Sequence, residues 1–406
     1  MTKLIKSDPL GRVQPPATIA ITALGRELRD AGRSIVSLGI GQPDFATPQH
    51  IIDAAYEAAS RGETKYPPIG GIPELKTAVC AKFKRENQLD YSSAEVTVSA
   101  GGKQILSHCF YATLNKGDEV ILPAPYWLAY RQSVELCDAT ATIIDTSADT
   151  EFKITADQLE SAITDKTKWL LINSPGNPTG AVYNRAELQA LANVLLRHPH
   201  VWILSDDMYE HLNYSDEEFC TMAQVEPSLR DRTLIVNGVS KAYAMTGWRI
   251  GYAAGPAELI KAMELVQSLW CAGTCSVSQW AAVAALNGPQ DSLADNLTVY
   301  RKRRSLVVDA LNAIDGLDCV MPDGAFYAYP SCAAFIGGTT AGGQLLESDV
   351  DFCMALLQEQ GVATVHGKAF GLSPNFRISY ASSEQEITEA MTRIATFCKG
   401  ITRSWQ

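Results

Sequence analysis

The sequence predicts an α/β fold: a large domain with a mostly parallel central sheet flanked by helices, and a small α+β domain beside it. Three observations predict this. Short apolar runs of strand length alternate with helical runs through the middle of the chain. Those strands are continuous apolar runs, the pattern of a parallel sheet covered on both faces. Beyond a long charged helix, the pattern changes to a few short strands and one last helix.

The elements follow in order. "MTKLIKSDPLGRVQPP", residues 1–16, reads as an extended N-terminal arm because of its prolines. "ATIAITALGRELRDAG" has helical spacing and stops at Gly32. "SIVSLGIGQPDF" is a short strand entering a glycine-proline turn. The runs "EVTVS", "EVILP", "ATIID", "KWLLIN", "VWILS", "TLIVNG" and "RIGYAAG" read as strands. Helical runs such as "GKQILSHCFYATLN" and "RAELQALANVLLRH" lie between most of them. A long helix begins near Leu293 and passes through "VYRKRRSLVVDALNAI". The short strands "GAFYAYP", "GVATVHG" and "NFRISYAS" and a final helix complete the chain. The expected partition is a large domain over residues 46–300 and a small domain from residues 17–45 and 301–406. A length of 406 residues suits two domains better than one.

Composition narrows the function. Hydrophobic residues make up 46% and charged residues 19%, as in a folded globular protein. A formal net charge of -11 disfavours nucleic acid and anionic membrane as partners, while leaving room for a local cationic pocket. The first residues lack a secretory apolar run, and no apolar stretch approaches the roughly 20 residues that span a bilayer. The ten cysteines are scattered without a C-x-x-C pair, so they are expected as thiols of a cytoplasmic protein. Cys271 and Cys275 alone do not argue for a metal, and none is expected.

In open parallel α/β sheets, ligands bind beyond the carboxyl ends of the strands. "AGGKQ" follows the first of the central strands and places Gly101, Gly102 and Lys103 at a helix start, where backbone N–H groups and the helix dipole favour an anion. "SPGNPTG" follows another and holds Asn177. "DDMYEH" places Asp206 at a strand end and Tyr209 three residues on. Lys241 follows "TLIVNG", and Arg249 comes eight residues later. Singly these have plainer readings: a strand-to-helix turn, a tight turn, a helix N-cap, a lysine with its head in solvent. Together they supply an anion cradle, a carboxylate, a phenol and an amine. Pyridoxal 5'-phosphate needs that set: a lysine for its aldehyde, an acid for its ring nitrogen, and cationic and backbone donors for its phosphate.

Nearly the full chain resembles a fold-type I, class I pyridoxal-phosphate-dependent aminotransferase. "SKAYAMTGWRIGYA" resembles the family's cofactor-lysine segment, and "PAPYW", "SPGNPTG", "SDDMYEHL" and "NFRISYA" resemble its other signatures in the family's order. The branch it is most similar to holds bacterial aspartate aminotransferases, including prephenate-transaminating members. The resemblance implies ping-pong transamination between an L-amino acid, aspartate or glutamate, and a 2-oxo acid. Lys241 would hold the cofactor aldehyde and, once freed, move the substrate Cα proton. Asp206 would pair with the pyridine nitrogen. Tyr209 and Asn177 would bond the ring oxygen, and Trp127 would stack on the ring. Gly101, Gly102, Lys103, Arg249 and Ser240 would hold the phosphate, joined by Tyr66 from the other subunit of a homodimer. Arg377 would grip the substrate α-carboxylate, with Gly41 against the substrate.

Two departures bear on specificity. Family members of this branch read lysine-proline-serine-alanine-threonine near the N-terminus, where the serine and threonine, with the lysine of "GGK", help recognise a distal carboxylate. Here the segment is "QPPAT": Thr18 and Lys103 remain, but Pro16 replaces the serine. "SLWCAGTCS" also carries Trp270 where the family has smaller residues. The expected roles of Trp270 are packing at the dimer interface or a reshaped substrate pocket. An aromatic or prephenate-like specificity, or a lyase on the same fold, stays open.

Overall fold

The computed structural model describes residues 6–13 and 17–403; of residues 17–19 and 22 only the backbone is described. The strands are β1 (Val36–Ser37), β2 (Val96–Ser99), β3 (Glu119–Ala124), β4 (Thr140–Asp145), β5 (Thr167–Asn173), β6 (Trp202–Asp206), β7 (Thr233–Gly238), β8 (Gly251–Ala254), β9 (Tyr327–Ala328), β10 (Val362–Ala363), β11 (Val365–His366) and β12 (Phe376–Ser379). The helices are α1 (Asp8–Arg12), α2 (Ala17–Asp30), α3 (Gln49–Ser60), α4 (Pro73–Asn87), α5 (Gly102–Thr113), α6 (Leu128–Leu136), α7 (Ala156–Ala162), α8 (Arg185–Arg197), α9 (Met222–Val225), α10 (Ala257–Trp270), α11 (Ser276–Asn287), α12 (Asp291–Asn312), α13 (Asp349–Gln360) and α14 (Glu384–Lys399).

Seven strands form one sheet in the order β2-β8-β7-β6-β5-β3-β4. Neighbouring residues of one strand face opposite layers. Val120 and Leu122 of β3 pack with Ile105 of α5 and Met263 of α10. Ile121, between them, packs with Leu188 and Leu191 of α8. Both faces are therefore apolar, which explains why the strands read as unbroken apolar runs. The sheet is parallel except at β8, which runs antiparallel to both β7 and β2.

Register is what builds the site. Asn173 of β5 lies opposite Asp206 of β6, and Asp206 lies opposite Val236 of β7. Because β8 reverses direction, β2 points the same way as β7, and its Ser99 lies opposite Gly251 while Gly238 of β7 also faces Gly251. The segments after β2, β5, β6 and β7 thus leave the sheet along one edge. A second layer comes from the chain ends: β1 pairs in parallel with β10, and β11, β12 and β9 form an antiparallel sheet. These pack with α12, α13 and α14 around Phe326, Phe352 and Phe376.

The expected extended arm is only partly extended. Residues Asp8–Arg12 form a single helical turn with Pro9 at its start, where the missing N–H costs nothing. Arg12 then ion-pairs with Asp138 just beyond α6. Gln14, Pro15 and Pro16 lie outside the described residues. Among those described, no helix is long and apolar enough to cross a membrane.

Candidate active site

A cavity of about 920 Å³ opens along that sheet edge, beneath the layer made from the chain ends. Lys241 stands in its wall, three residues past the end of β7. Its Nζ donates to the Gly41 carbonyl at 2.6 Å, and among the described residues no acidic side chain forms an ion pair with it. The surface that Lys241 exposes is cavity wall rather than open solvent. Burial, then Arg377 and Arg249, push its ammonium down to about 8, against the pull of Asp206. Gly41 must be a glycine: a Cβ there would lie 2.2 Å from the Tyr327 hydroxyl.

Asp206 ends β6 and is 5% exposed. Its Oδ1 accepts from the Met208 N–H at 3.2 Å and its Oδ2 from the Tyr130 hydroxyl at 2.7 Å. Burial raises its carboxyl to about 6, and those two donors and Lys241 hold it from rising further. Asp207, the next residue, turns away. It accepts from the Ser205 hydroxyl at 2.7 Å and is not part of the cavity wall. Burial pushes it up to about 7. Tyr209 lines the cavity on the same segment, its hydroxyl 2.8 Å from that of Tyr327.

Gly101, Gly102, Lys103, Ser240 and Arg249 converge at one end. Gly101 has φ +92°, and a Cβ on it would meet Arg249 Nη2 at 2.3 Å. Gly251 is equally tight, since its Cβ would meet the Gly102 backbone nitrogen at 2.5 Å. Arg249 itself adopts φ +58°, an uncommon backbone conformation for a non-glycine residue. Among the described residues its guanidinium donates to the carbonyls of Thr246 and Ala100, at 3.0 and 3.1 Å, and to no carboxylate. Lys103 Nζ sits 4.9 Å from the Trp127 ring centre, and partial burial and Arg249 push its ammonium below the usual lysine range.

Arg377 on β12 closes the cavity from the other layer. It is 4% exposed, donates to the Gly39 carbonyl at 2.7 Å and to Asn177 Oδ1 at 2.9 Å, and leaves Nε unpartnered. Its guanidinium lies 4.5 Å from the Tyr327 ring centre and 4.9 Å from that of Phe370. The cavity wall holds Lys103, Lys241, Arg249 and Arg377, with Arg26 and Glu27 of α2 at its side and Asp206 as its one buried carboxylate. This excess of cations is suited to a ligand bearing more than one negative group.

The expected residues are not all gathered. Gly41, Gly102, Lys103, Trp127, Asn177, Asp206, Tyr209, Ser240, Lys241, Arg249 and Arg377 line one cavity, and Gly101 adjoins it against Arg249. Tyr66 is 90% exposed and absent from the cavity wall of its own chain. Thr18 lies on α2, with its side chain outside the described residues. Trp270, at the end of α10, is 53% exposed and does not line the cavity. It packs edge-on against Tyr111, with ring centres 4.6 Å apart.

The profile of the family described as "Aminotransferase class I and II" matches residues 33–394. The chain belongs to the class I and II aminotransferases. Two similar relatives are each 56% identical. The probable aspartate/prephenate aminotransferase of Rhizobium leguminosarum bv. phaseoli aligns over 97% of this chain and 98% of its own. The aspartate/prephenate aminotransferase of Cereibacter sphaeroides aligns over 97% and 99%. Among solved structures, the Rhizobium meliloti aspartate aminotransferase superposes with TM-score 0.96 at 51% identity, covering 98% of this chain and all of that one. The Thermus thermophilus aspartate aminotransferase, solved with maleate, gives TM-score 0.89 at 40% identity over 98% and 100%. The fold is fold type I.

Two residues that the sequence does not mark, Tyr327 and Phe370, also line the cavity of this aminotransferase. Tyr327 joins Gly41, Tyr209 and Arg377, and Phe370 supports Arg377. Both come from the distant C-terminal layer, so no local pattern marks them. Tyr130 was within reach, since it follows Trp127 by three residues at the start of a helix, a spacing that puts both on one face.

Proposed function

We propose that this aminotransferase uses pyridoxal 5'-phosphate to transfer an amino group between aspartate or glutamate and 2-oxoglutarate or oxaloacetate, in two half-reactions. One observation carries the reading: an amine that among the described residues has no acidic ion-pair partner, flanked by two arginines, shares a cavity with a buried carboxylate. The residues present fit the cofactor. A glycine cradle that a Cβ would fill lies against an arginine that among the described residues meets only carbonyls, which suits a phosphate. When bound, the cofactor supplies an aldehyde carbon for an amine and a ring that takes up electron density from the substrate Cα.

The chain's own groups do the rest. Lys241, with its ammonium lowered to about 8, is neutral far more often near neutral pH than an ordinary lysine and serves as nucleophile and then as base at the substrate Cα. Asp206 holds a proton on the ring nitrogen. The Tyr209 hydroxyl and the donor end of the Asn177 amide serve the ring oxygen, and Trp127 covers a ring face. Arg249, Ser240, Lys103 and the backbone at Gly101 and Gly102 take the phosphate. Arg377 offers its guanidinium fork to the α-carboxylate, and Lys103 and Thr18 serve a distal carboxylate. Tyr66 acts in the site of a second copy. Its exposure, together with that of Leu265, Leu269 and Trp270, supports a homodimer with shared sites.

Maleate in the Thermus structure is itself a dicarboxylate, which supports an acidic substrate here. A second reading, transamination of prephenate, is favoured by the names of the two relatives at 56% identity. A half-reaction screen tests both: each amino acid is added to the holoenzyme and the cofactor absorbance is followed. Aspartate and glutamate should bleach it and 2-oxoglutarate should restore it. Failure of both donors at millimolar concentration would remove the acidic-substrate reading.

A further inference from the structure

Tyr130 lies on the first turn of α6, and its side chain touches two residues assigned above to the cofactor. Its hydroxyl donates to Asp206 Oδ2 at 2.7 Å. Its ring meets the Trp127 ring edge-to-face, with centres 5.4 Å apart and planes at 86°. Tyr130 is 2% exposed and Asp206 5%, so water does not substitute for either contact. A phenol donates more strongly to an ionised carboxylate than to the neutral acid, so this contact favours the charged form of Asp206; burial and Asp206 in turn hold the Tyr130 phenol well above its usual range, fully protonated.

We propose that Tyr130 is a positioning residue of this active site: its hydroxyl fixes and keeps ionised the Asp206 carboxylate, while its ring fixes the orientation of Trp127. The proposal rests on the reading of Asp206 and Trp127 as cofactor contacts. The geometry gives it a specific form. The Met208 N–H occupies one oxygen of Asp206 and Tyr130 the other, which fixes the carboxylate plane and leaves each oxygen one lone pair for an incoming donor. Burial alone would favour the neutral acid, which cannot accept a ring N–H proton as an ion pair. The groups that bear on Asp206 from the surrounding elements are Lys241 after β7, Tyr209 after β6, Tyr130 on α6 and the Met208 N–H. Lys241 favours its charge only while it is itself an ammonium. Tyr130 supplies a neutral donor that does not titrate with it.

Tyr130→Phe removes the hydroxyl and keeps the ring. The apoenzyme should bind pyridoxal phosphate about tenfold more weakly, the loss of a hydrogen bond to a charged group. The acid limb of cofactor affinity against pH should move upward by about one pH unit. In an Asp206→Asn background the same change should cost less than about twofold, because the charged acceptor is gone. Tyr130→Leu should lose more than Tyr130→Phe, because the Trp127 contact goes too. An unshifted acid limb and unchanged affinity in Tyr130→Phe, alongside an impaired Asp206→Asn, would overturn the proposal alone. Equal losses in the two backgrounds would also overturn it, and Leu matching Phe would overturn the Trp127 half. An Asp206→Asn enzyme with full affinity and turnover would overturn the reading of Asp206 together with the proposal.

Discussion

Lys82 and Lys241 are both shielded from open solvent, and their surroundings are opposite. Lys82 on α4 is 0% exposed and sits in a closed network. It ion-pairs with Glu210, approaches Glu86 at 3.6 Å and donates to Asn87 Oδ1 at 2.8 Å. Asn237 and Asn87 donate to Glu210, and His211 lies 3.0 Å from Glu86. Despite burial, Lys82 and His211 hold Glu210 below its usual range, and the His211 contact and Lys82 hold Glu86 down at about 2. Lys241 lies only four residues beyond Asn237, yet it has a carbonyl for a partner and two arginines for neighbours. Enclosure alone does not activate a lysine. The charges that enclose the two differ in sign: carboxylates pair with Lys82, whereas arginines face Lys241 and oppose its ammonium.

The largest effect should come from Lys241→Ala. Steady-state kcat/KM should fall by at least about 10⁴-fold, since nucleophile and base are one group, while the apoenzyme keeps its unfolding midpoint. Activity within tenfold of wild type would end the contrast. The mirror experiment is Lys82→Met, which strands Glu210 in the interior. Denaturant unfolding should show a loss of about 3–5 kcal/mol, with turnover per folded site changed by less than about threefold. If turnover collapsed and stability held, Lys82 would belong to the chemistry and the comparison would fail.

Next in size, Asp206→Ala should lower kcat/KM by at least about 10²-fold, or about 2.7 kcal/mol, whereas Asp207→Asn should cost less than about tenfold. Reversed outcomes would mean that Asp207 holds the ring nitrogen. Smallest is Lys103→Ala. If Lys103 meets a distal carboxylate, the aspartate half-reaction should slow about tenfold more than that of phenylalanine, the worth of one charged contact. Equal slowing would assign Lys103 to the phosphate alone.

Much of this was legible in the sequence, for a physical reason. Parallel strands covered on both faces must be apolar throughout, so β5, β6 and β7 announce themselves, and their level register puts Asn177, Asp206 and Lys241 together. Local spacing reveals less where partners lie far apart in the chain. Nothing near Gly41 foretells that Tyr327 will crowd it or that its carbonyl will receive Lys241. Nor does spacing say that Asp206 faces the cavity while Asp207 turns to Ser205. Tyr66 cannot be placed by its own chain's fold, because it points into solvent there. The helical turn at Asp8–Arg12 was hidden because five residues carry no periodicity, and a proline at its start reads as easily as a break.

The direct test of the contrast is to trap the reactive amine as a function of pH. Apoenzyme is mixed with pyridoxal phosphate at a series of pH values, reduced with borohydride after short times, and digested for peptide mass mapping. Reduced cofactor mass should appear on the peptide containing Lys241, with an initial rate rising through a midpoint near pH 8, where burial and the flanking arginines place its titration. Lys82 should stay unlabelled throughout. Label on the Lys82 or Lys103 peptide, or a rate that rises only near the ordinary lysine value of about 10.4, would contradict the account.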